Sequence, residues 1–213
     1  MTRILPGVLA MATIVVASNI LVQFLILDGF LTWGAFTYPL AFLVTDVMNR
    51  VYGVSAARKV VFAGLAVGII CSLIGSQIML QGDGFTYPAV AFRIAIGSAT
   101  AFLVAQLLDI AVFNRLRAGS WWKAPLTSTL VGSTVDTAIF FSIAFAAFFN
   151  GFSAAAAEEV MWAQDAVPFL SAGPLVPLWV SLAVADWGVK LSIALLALVP
   201  FRIIVGRMQR SAT

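Results

Sequence analysis

Six charged side chains stand inside, or at the edges of, otherwise apolar runs of this chain: Asp46, Arg93, Asp109, Asp136, Asp186 and Lys190. A charge at the centre of a membrane helix costs roughly 2.5–3.5 kcal/mol even on lenient insertion scales, so such groups face a protein interior or an aqueous cavity and seek partners there. Asp186 and Lys190 are four residues apart on one helical face and can form an ion pair. Asp46 and Arg50 have the same spacing, nearer a helix end where a pair is partly solvated. Asp136 has no lysine or arginine within four residues, so its partner must come from another helix, a bound ligand or a proton. A carboxylate at that depth can bind a solute or carry a proton; a structural hydrogen bond is the plainer alternative. Arg93 and Asp109 lie sixteen residues apart on one helix, about 24 Å, and cannot pair with each other.

The surrounding chain must hold these groups in a membrane. Of 213 residues, 62% are hydrophobic and 10% charged, against about 25% charged in an average soluble domain. Mean hydropathy is +1.05. Continuous apolar runs such as Ile69 to Leu80 and Leu191 to Val199 exclude the short alternating segments of a transmembrane barrel. The expected fold is an all-α integral membrane protein, a single polytopic domain over residues 1–213 with six transmembrane helices of about 20 residues each.

The first span runs from Leu5 to Leu27, past the length of a secretory signal's apolar region, which is the rival reading. Asn19 and Gln23 put a polar stripe on it, suited to helix-to-helix hydrogen bonds or to a substrate. The second covers residues 33–51. Within it Pro39 removes a backbone hydrogen bond and predicts a break between Phe36 and Leu40, where an interrupted segment carrying Tyr38 would border a cavity. The third spans Val60 to Leu80, the fourth Val90 to Phe113, the fifth Leu126 to Phe149 and the last Leu175 to Val199. On the fifth, Thr129, Ser133, Asp136 and Phe140 recur at spacings of three and four and share a face. Asp109, about a turn from the end of the fourth, is read as fixing the segment from Asn114 to Arg117. Residues 150–175 form an acidic connection in which Ser153 caps a short helix through Ala166.

With the amino terminus in the cytoplasm, Arg50, Arg58, Lys59, Arg115, Arg117, Lys123, Arg202, Arg207 and Arg210 all fall on the inner side. The outer loops then hold Asp28, Asp83, Glu158, Glu159 and Asp165. That asymmetry obeys the positive-inside rule and places both termini in the cytoplasm. Asp46 then lies about a turn and a half from the inner end, as an inner-gate or helix-positioning residue.

Chemistry is narrowed by what is missing. The chain has no histidine and one cysteine, Cys71, which removes imidazole mechanisms, an internal disulfide and cysteine-cluster metal sites. It has no H-E-x-x-H, no G-x-S-x-G and no phosphate-binding G-x-x-x-x-G-K-[ST]. A two-aspartate protease built from Asp136 and Asp186 is allowed by residue type alone and supported by no local motif. Basic residues lie between the apolar runs without forming a patch, so nucleic acid is not an expected partner. What remains is a carrier for a polar, planar solute, needing no cofactor or metal.

The runs TWGAFTYPLAFLVTDVMNRVYG, AFRIAIGSATAFLVAQLLDIAVFNRLR, WWKAPLTSTLVGSTVDTAIFFSIAF and DWGVKLSIALLALVP supply, in order, the elements DxxNR, RIA, LDxxVFNRLR, STxxGxxxDT and DxxxK. In these the chain resembles the queuosine precursor transporter family, a branch of the vitamin uptake transporters. The resemblance implies import of 7-deazaguanine bases, in the 7-cyano and 7-aminomethyl forms, through the bacterial cytoplasmic (inner) membrane, for salvage into queuosine-modified tRNA. The tRNA is used downstream and is not a partner; a homodimer is left open. The family pattern falls on Asp46, Arg93, Asp109, Asn114, Asp136, Asp186 and Lys190. On this expectation Asp136 or Asp186 grips the N–H edge of the base, Phe140 or Trp187 stacks on its face, and Lys190 or Arg93 meets the carbonyl or neutralises a carboxylate. The alternative is a substrate-binding membrane subunit of an ATP-driven importer.

Overall fold

Backbone chemistry sets the element boundaries. In the computed structural model, which describes residues 4–21, 25–26, 31–82, 84 and 86–210, the apolar runs form helices. A proline separates two of them, a left-handed glycine ends the second of these, and a hairpin follows the next. Helix α1 covers Leu5–Leu21. Two short paired strands, β1 (Leu25–Ile26) and β2 (Leu31–Thr32), lead to α2 (Gly34–Thr37) and α3 (Leu40–Tyr52). Next come α4 (Val54–Gln77), a hairpin of β3 (Met79–Gln81) with β4 (Thr86–Pro88), α5 (Phe92–Leu116) and α6 (Lys123–Phe145). A short α7 (Ala154–Glu158) and a hairpin of β5 (Ala166–Pro168) with β6 (Leu175–Pro177) precede α8 (Leu178–Arg210).

The expected break at Pro39 is present and is tight. Proline has no N–H to donate, and α2 and α3 are separated by Tyr38 and Pro39. Both residues keep right-handed helical dihedrals, and Ala41 N–H bonds to Tyr38 O while Phe42 N–H bonds to Pro39 O. The chain therefore pivots over one turn instead of unwinding across Phe36 to Leu40. At the other end, α3 passes directly into α4 through Gly53, whose φ of 84° is open to glycine and strained for other residues. The expected loop around Arg58 and Lys59 is thus the first turns of α4. Because the ladder continues past the residues expected to end it, α5 runs to Leu116 and α8 to Arg210. Ser153 does cap a helix, its hydroxyl accepting from Ala156 N–H, but that helix stops at Glu158 and not at Ala166.

Four helices are long and apolar enough to cross a membrane: α4, α5, α6 and α8. Helix α1 is apolar and shorter, and no other described helix meets the criterion. The protein is a multi-pass, helical membrane protein. Three buried apolar clusters line its length. One joins α1, α3, α4 and α5 through Met11, Met48, Val60 and Phe102. One at the end away from the basic residues gathers Phe141, Phe145, Val160 and Ala163. The third, at the basic end, joins Val47, Phe113, Phe201 and Val205.

Helices α5 and α6 approach closely at Gly97. A Cβ added there would stand 3.2 Å from the Phe140 carbonyl oxygen and 3.3 Å from the Ala144 nitrogen, both backbone atoms that cannot swing aside. Gly97→Leu is therefore expected to force the pair apart and destabilise the protein by about 1–3 kcal/mol, read as a lower unfolding temperature in detergent.

Candidate functional site

Polar side chains on α6 fall in two layers seven residues, or about 10.5 Å, apart, and a third layer is built on the backbone carbonyls at its C-terminal end. Each layer meets different helices.

The middle layer is an ion cluster. Lys190 on α8 uses all three of its N–H donors: to Asp136 Oδ2 at 2.7 Å, to Asp186 Oδ2 at 2.5 Å and to Thr137 Oγ1 at 3.0 Å. Tyr38, delivered by the break before Pro39, donates its hydroxyl to Asp136 Oδ1 at 2.9 Å, and Thr137 donates to Asp186 Oδ2 at 3.0 Å. The ammonium also lies 5.5 Å from the centre of the Tyr38 ring, in cation–π range, and that ring packs edge-on against Phe102. Two carboxylates share one cation, so the cluster keeps a net negative charge when all three groups are ionised. The Lys190 and Asp136 side chains are 4% and 3% exposed, while Asp186 is 16% exposed and is the member with access. The Asp186–Lys190 pair follows from helical spacing. The partner that Asp136 lacked within its own helix is Lys190, from a different one.

The layer nearer the basic end is built from carboxyls and hydroxyls. Asp46 on α3 accepts from Ser128 Oγ and Thr129 Oγ1 on α6, both at 3.2 Å. Asp109 on α5 faces Asp46 closely enough to interact, and both are buried, at 2% and 0% exposure. Thr45 donates to Gln106 Oε1 at 2.6 Å and Asn49 donates to the Ile110 carbonyl at 3.2 Å, tying α3 to α5 on either side. The expected Asp46–Arg50 pair does not form. Arg50 instead donates to the Arg117 carbonyl at 2.5 Å, and Arg117 donates back to the Arg50 carbonyl at 3.3 Å. The last carbonyls of a helix have no intrahelical partner, and that need outcompetes a carboxylate already served by two hydroxyls. Asp109 likewise does not fix the segment from Asn114 to Arg117. It points inward, and Asn114 is exposed.

The third layer closes the C-terminal end of α6. Arg93 on α5 donates to the carbonyls of Ile143 at 3.1 Å and Ala146 at 2.8 Å, and to Asn150 Oδ1 at 2.7 Å. It thereby satisfies orphan carbonyls at the helix C-terminus, where a cation is also favoured by the helix dipole. Arg93 is not brought to Lys190.

The remaining expected residues lie around the cluster. Phe140 is one turn C-terminal to Asp136 and packs edge-on against Phe141 and Phe145, with ring centres 5.0 and 6.0 Å away. Trp187 is 38% exposed and donates to Thr134 Oγ1 at 3.0 Å, on the exposed side of the α6–α8 contact. Asn19 bonds back to the Val15 carbonyl of its own helix at 2.9 Å, and Gln23 lies outside the described residues. Thr137, Ser128, Gln106 and Asn150 were not foreseen as partners. Ser128 and Thr137 stand inside the STxxGxxxDT element and Gln106 one turn before Asp109, so the sequence did carry a trace of these three. An open apolar crevice of about 320 Å³ lined by Phe36, Leu40, Ile193 and Pro200 runs between α2–α3 and α8, beside the cluster.

Buried ionisable clusters beside broken helices are the arrangement in which membrane proteins commonly hold polar solutes or ions. Residues 32–205 match the family described as "Putative vitamin uptake transporter", and the chain belongs to that family, as its motifs indicated. It is 38% identical over 176 residues to the "Probable queuosine precursor transporter" of Haemophilus influenzae, covering 79% of this chain and 66% of that protein. It is 40% identical over 141 residues to the "Queuosine precursor transporter" of Escherichia coli, covering 62% and 64%. A third relative, the "Probable queuosine precursor transporter" of Bacillus subtilis, is 30% identical over 128 residues, covering 54% and 56%. The chain thus spans just under two-thirds of the length of the two more similar relatives. No solved structure matches it.

Proposed function

We infer that the chain is a transporter, not an enzyme, and that it carries queuosine precursors, the 7-cyano and 7-aminomethyl 7-deazaguanine bases, inward across the cytoplasmic membrane. The observation that carries this reading is the Tyr38–Asp136–Lys190–Asp186 cluster, buried where a broken helix meets two apolar spans. The names of the relatives supply the solute class. A guanine-like edge presents adjacent N–H donors, which one carboxylate accepts together; Asp186 is the accessible carboxylate and Asp136 the deeper one. Tyr38 supplies an aromatic face beside them, and Lys190 a donor for the ring carbonyl. The cluster is closed in this conformation, so loading requires the α2–α3 segment and α8 to part, the movement of an alternating-access carrier.

In this reading α1 and the α2–α3 pair complete six spans, and the basic end is cytoplasmic. Contacts of Arg50 with Arg117 and of Arg202 with Trp121, 4.8 Å from the ring centre, gather the cations at one end as the positive-inside rule expects.

The test is the queuosine content of tRNA in a strain unable to make the precursor, at limiting external base. Cells carrying the gene are expected to regain the modification, and cells without it are not. Uptake by the purified chain alone in proteoliposomes separates a carrier from a binding subunit that needs partner ATPases. Equal queuosine content in the two strains would remove the reading.

A further inference from the structure

The carboxyl pair of Asp46 and Asp109 is not used by the solute-binding reading. Its surroundings are unusual. Both side chains are buried, and each Asp109 oxygen lacks a hydrogen-bond donor among the described residues. Asp46 has only the single hydroxyl protons of Ser128 and Thr129, and the one proton of Ser128 also serves the Pro125 carbonyl. One turn away on either side, Asn49 Oδ1 and Gln106 Nε2 are buried and unpartnered as well.

Among the described residues no cation forms an ion pair with either carboxyl. The facing groups are Thr45, Asp46 and Asn49 on α3, Gln106 and Asp109 on α5, and Ser128 and Thr129 on α6. Helix α8 contributes Ala194, Leu198 and Phe201 around a cavity of about 10 Å³ next to Asp46 and Thr129, all apolar. The cations nearest along these helices are committed elsewhere, Arg50 to the Arg117 carbonyl and Lys190 to Asp136 and Asp186. Two ionised carboxylates are both acceptors. Set face to face in an apolar interior they repel, and only a proton between them turns the contact into an O–H···O⁻ hydrogen bond.

We propose that Asp46 and Asp109 together form a proton-binding site, and that the proton they share is the one whose movement drives solute accumulation. This rests on the transport reading above. The proton enters from the outside, binds to one carboxyl oxygen, is shared with the other, and leaves to the cytoplasm when the layer opens; a carboxylate is regenerated each cycle. Asp136 is the less suitable carrier of that proton, because Lys190 already neutralises it at 2.7 Å.

The experiment has two arms on the purified chain, using labelled 7-cyano-7-deazaguanine as solute. Difference infrared spectroscopy on titration reads the protonated carboxyl directly; its band is expected in the unaltered protein and lost in Asp109→Asn and in Asp46→Asn. In proteoliposomes, accumulation driven by an imposed pH gradient is expected to fall at least tenfold in Asp109→Asn. Equilibrium exchange of solute, which needs no net proton movement, should fall less than twofold and also shows that the variant is folded. Gradient-driven accumulation retained by both Asp109→Asn and Asp46→Asn overturns the proposal, and so does accumulation driven by a sodium gradient at equal pH. Absence of exchange by the unaltered protein overturns the transport reading itself, and the coupling role with it.

Discussion

Lys190→Met is expected to abolish uptake and to destabilise the protein by about 3–5 kcal/mol, the range found when one partner of a buried ion pair is removed. Methionine keeps the apolar stem and removes all three N–H donors. Asp136 and Asp186 then face each other across the vacated position with only Tyr38 and Thr137 as donors. Both effects share one cause, an uncompensated charge in an apolar interior. The companion variant Lys190→Met with Asp186→Asn removes one of the two charges, and should recover a substantial part of the lost stability while uptake stays at background. Thermal unfolding in detergent and uptake in proteoliposomes, measured on the same preparations, check both. Stability unchanged in Lys190→Met would mean that the cluster is solvated and that the buried arrangement is wrong.

What the sequence could and could not disclose follows from the range of each interaction. The break at Pro39 is written in a single residue, and the Asp186–Lys190 pair in a four-residue spacing, so both were legible locally. The partner of Asp136 was not, because 54 residues separate it from Lys190 and only the packing of α6 on α8 brings them together. The Asp46–Arg50 spacing is equally local, and it misled. Helical spacing permits a pair, but it does not show that the arginine has a nearer demand in the open carbonyl end of α5. Asp109 was assigned too shallow a depth because the apolar run weakens after Phe113, whereas the helix continues to Leu116 and leaves Asp109 about 10.5 Å from its end. Arg93 was grouped with the solute contacts by charge alone, and its position opposite the C-terminus of α6 depends on how α5 and α6 pack. Residue types revealed which groups would need partners; their assignment required the tertiary arrangement.

Asp136→Asn separates a solute-binding role from a structural one, because the expected effects on uptake and stability diverge. In the unaltered cluster one ammonium serves two carboxylates. Changing Asp136 to asparagine leaves Lys190 and Asp186 as a balanced pair; the amide oxygen still accepts from Lys190 and the amide N–H can donate to the Tyr38 oxygen, so the one donor that loses its acceptor is the neutral Tyr38 hydroxyl, a loss offset by removal of the uncompensated charge. Stability should therefore change by no more than about 1 kcal/mol in either direction. Uptake should fall far more. The amide presents one acceptor and one N–H donor to the base, where the carboxylate presents two acceptors, and truncating a buried, hydrogen-bonded charge contact costs about 2–5 kcal/mol of binding, roughly 30-fold or more. If Asp136 only held α6 to α8, uptake would follow stability, and a stable Asp136→Asn protein would transport normally. Paired measurements of unfolding temperature and initial uptake rate decide between the two. Asp186→Asn provides the comparison: it also leaves a balanced pair, Lys190 with Asp136, and being the more accessible carboxylate it should weaken solute binding with a similarly small change in stability.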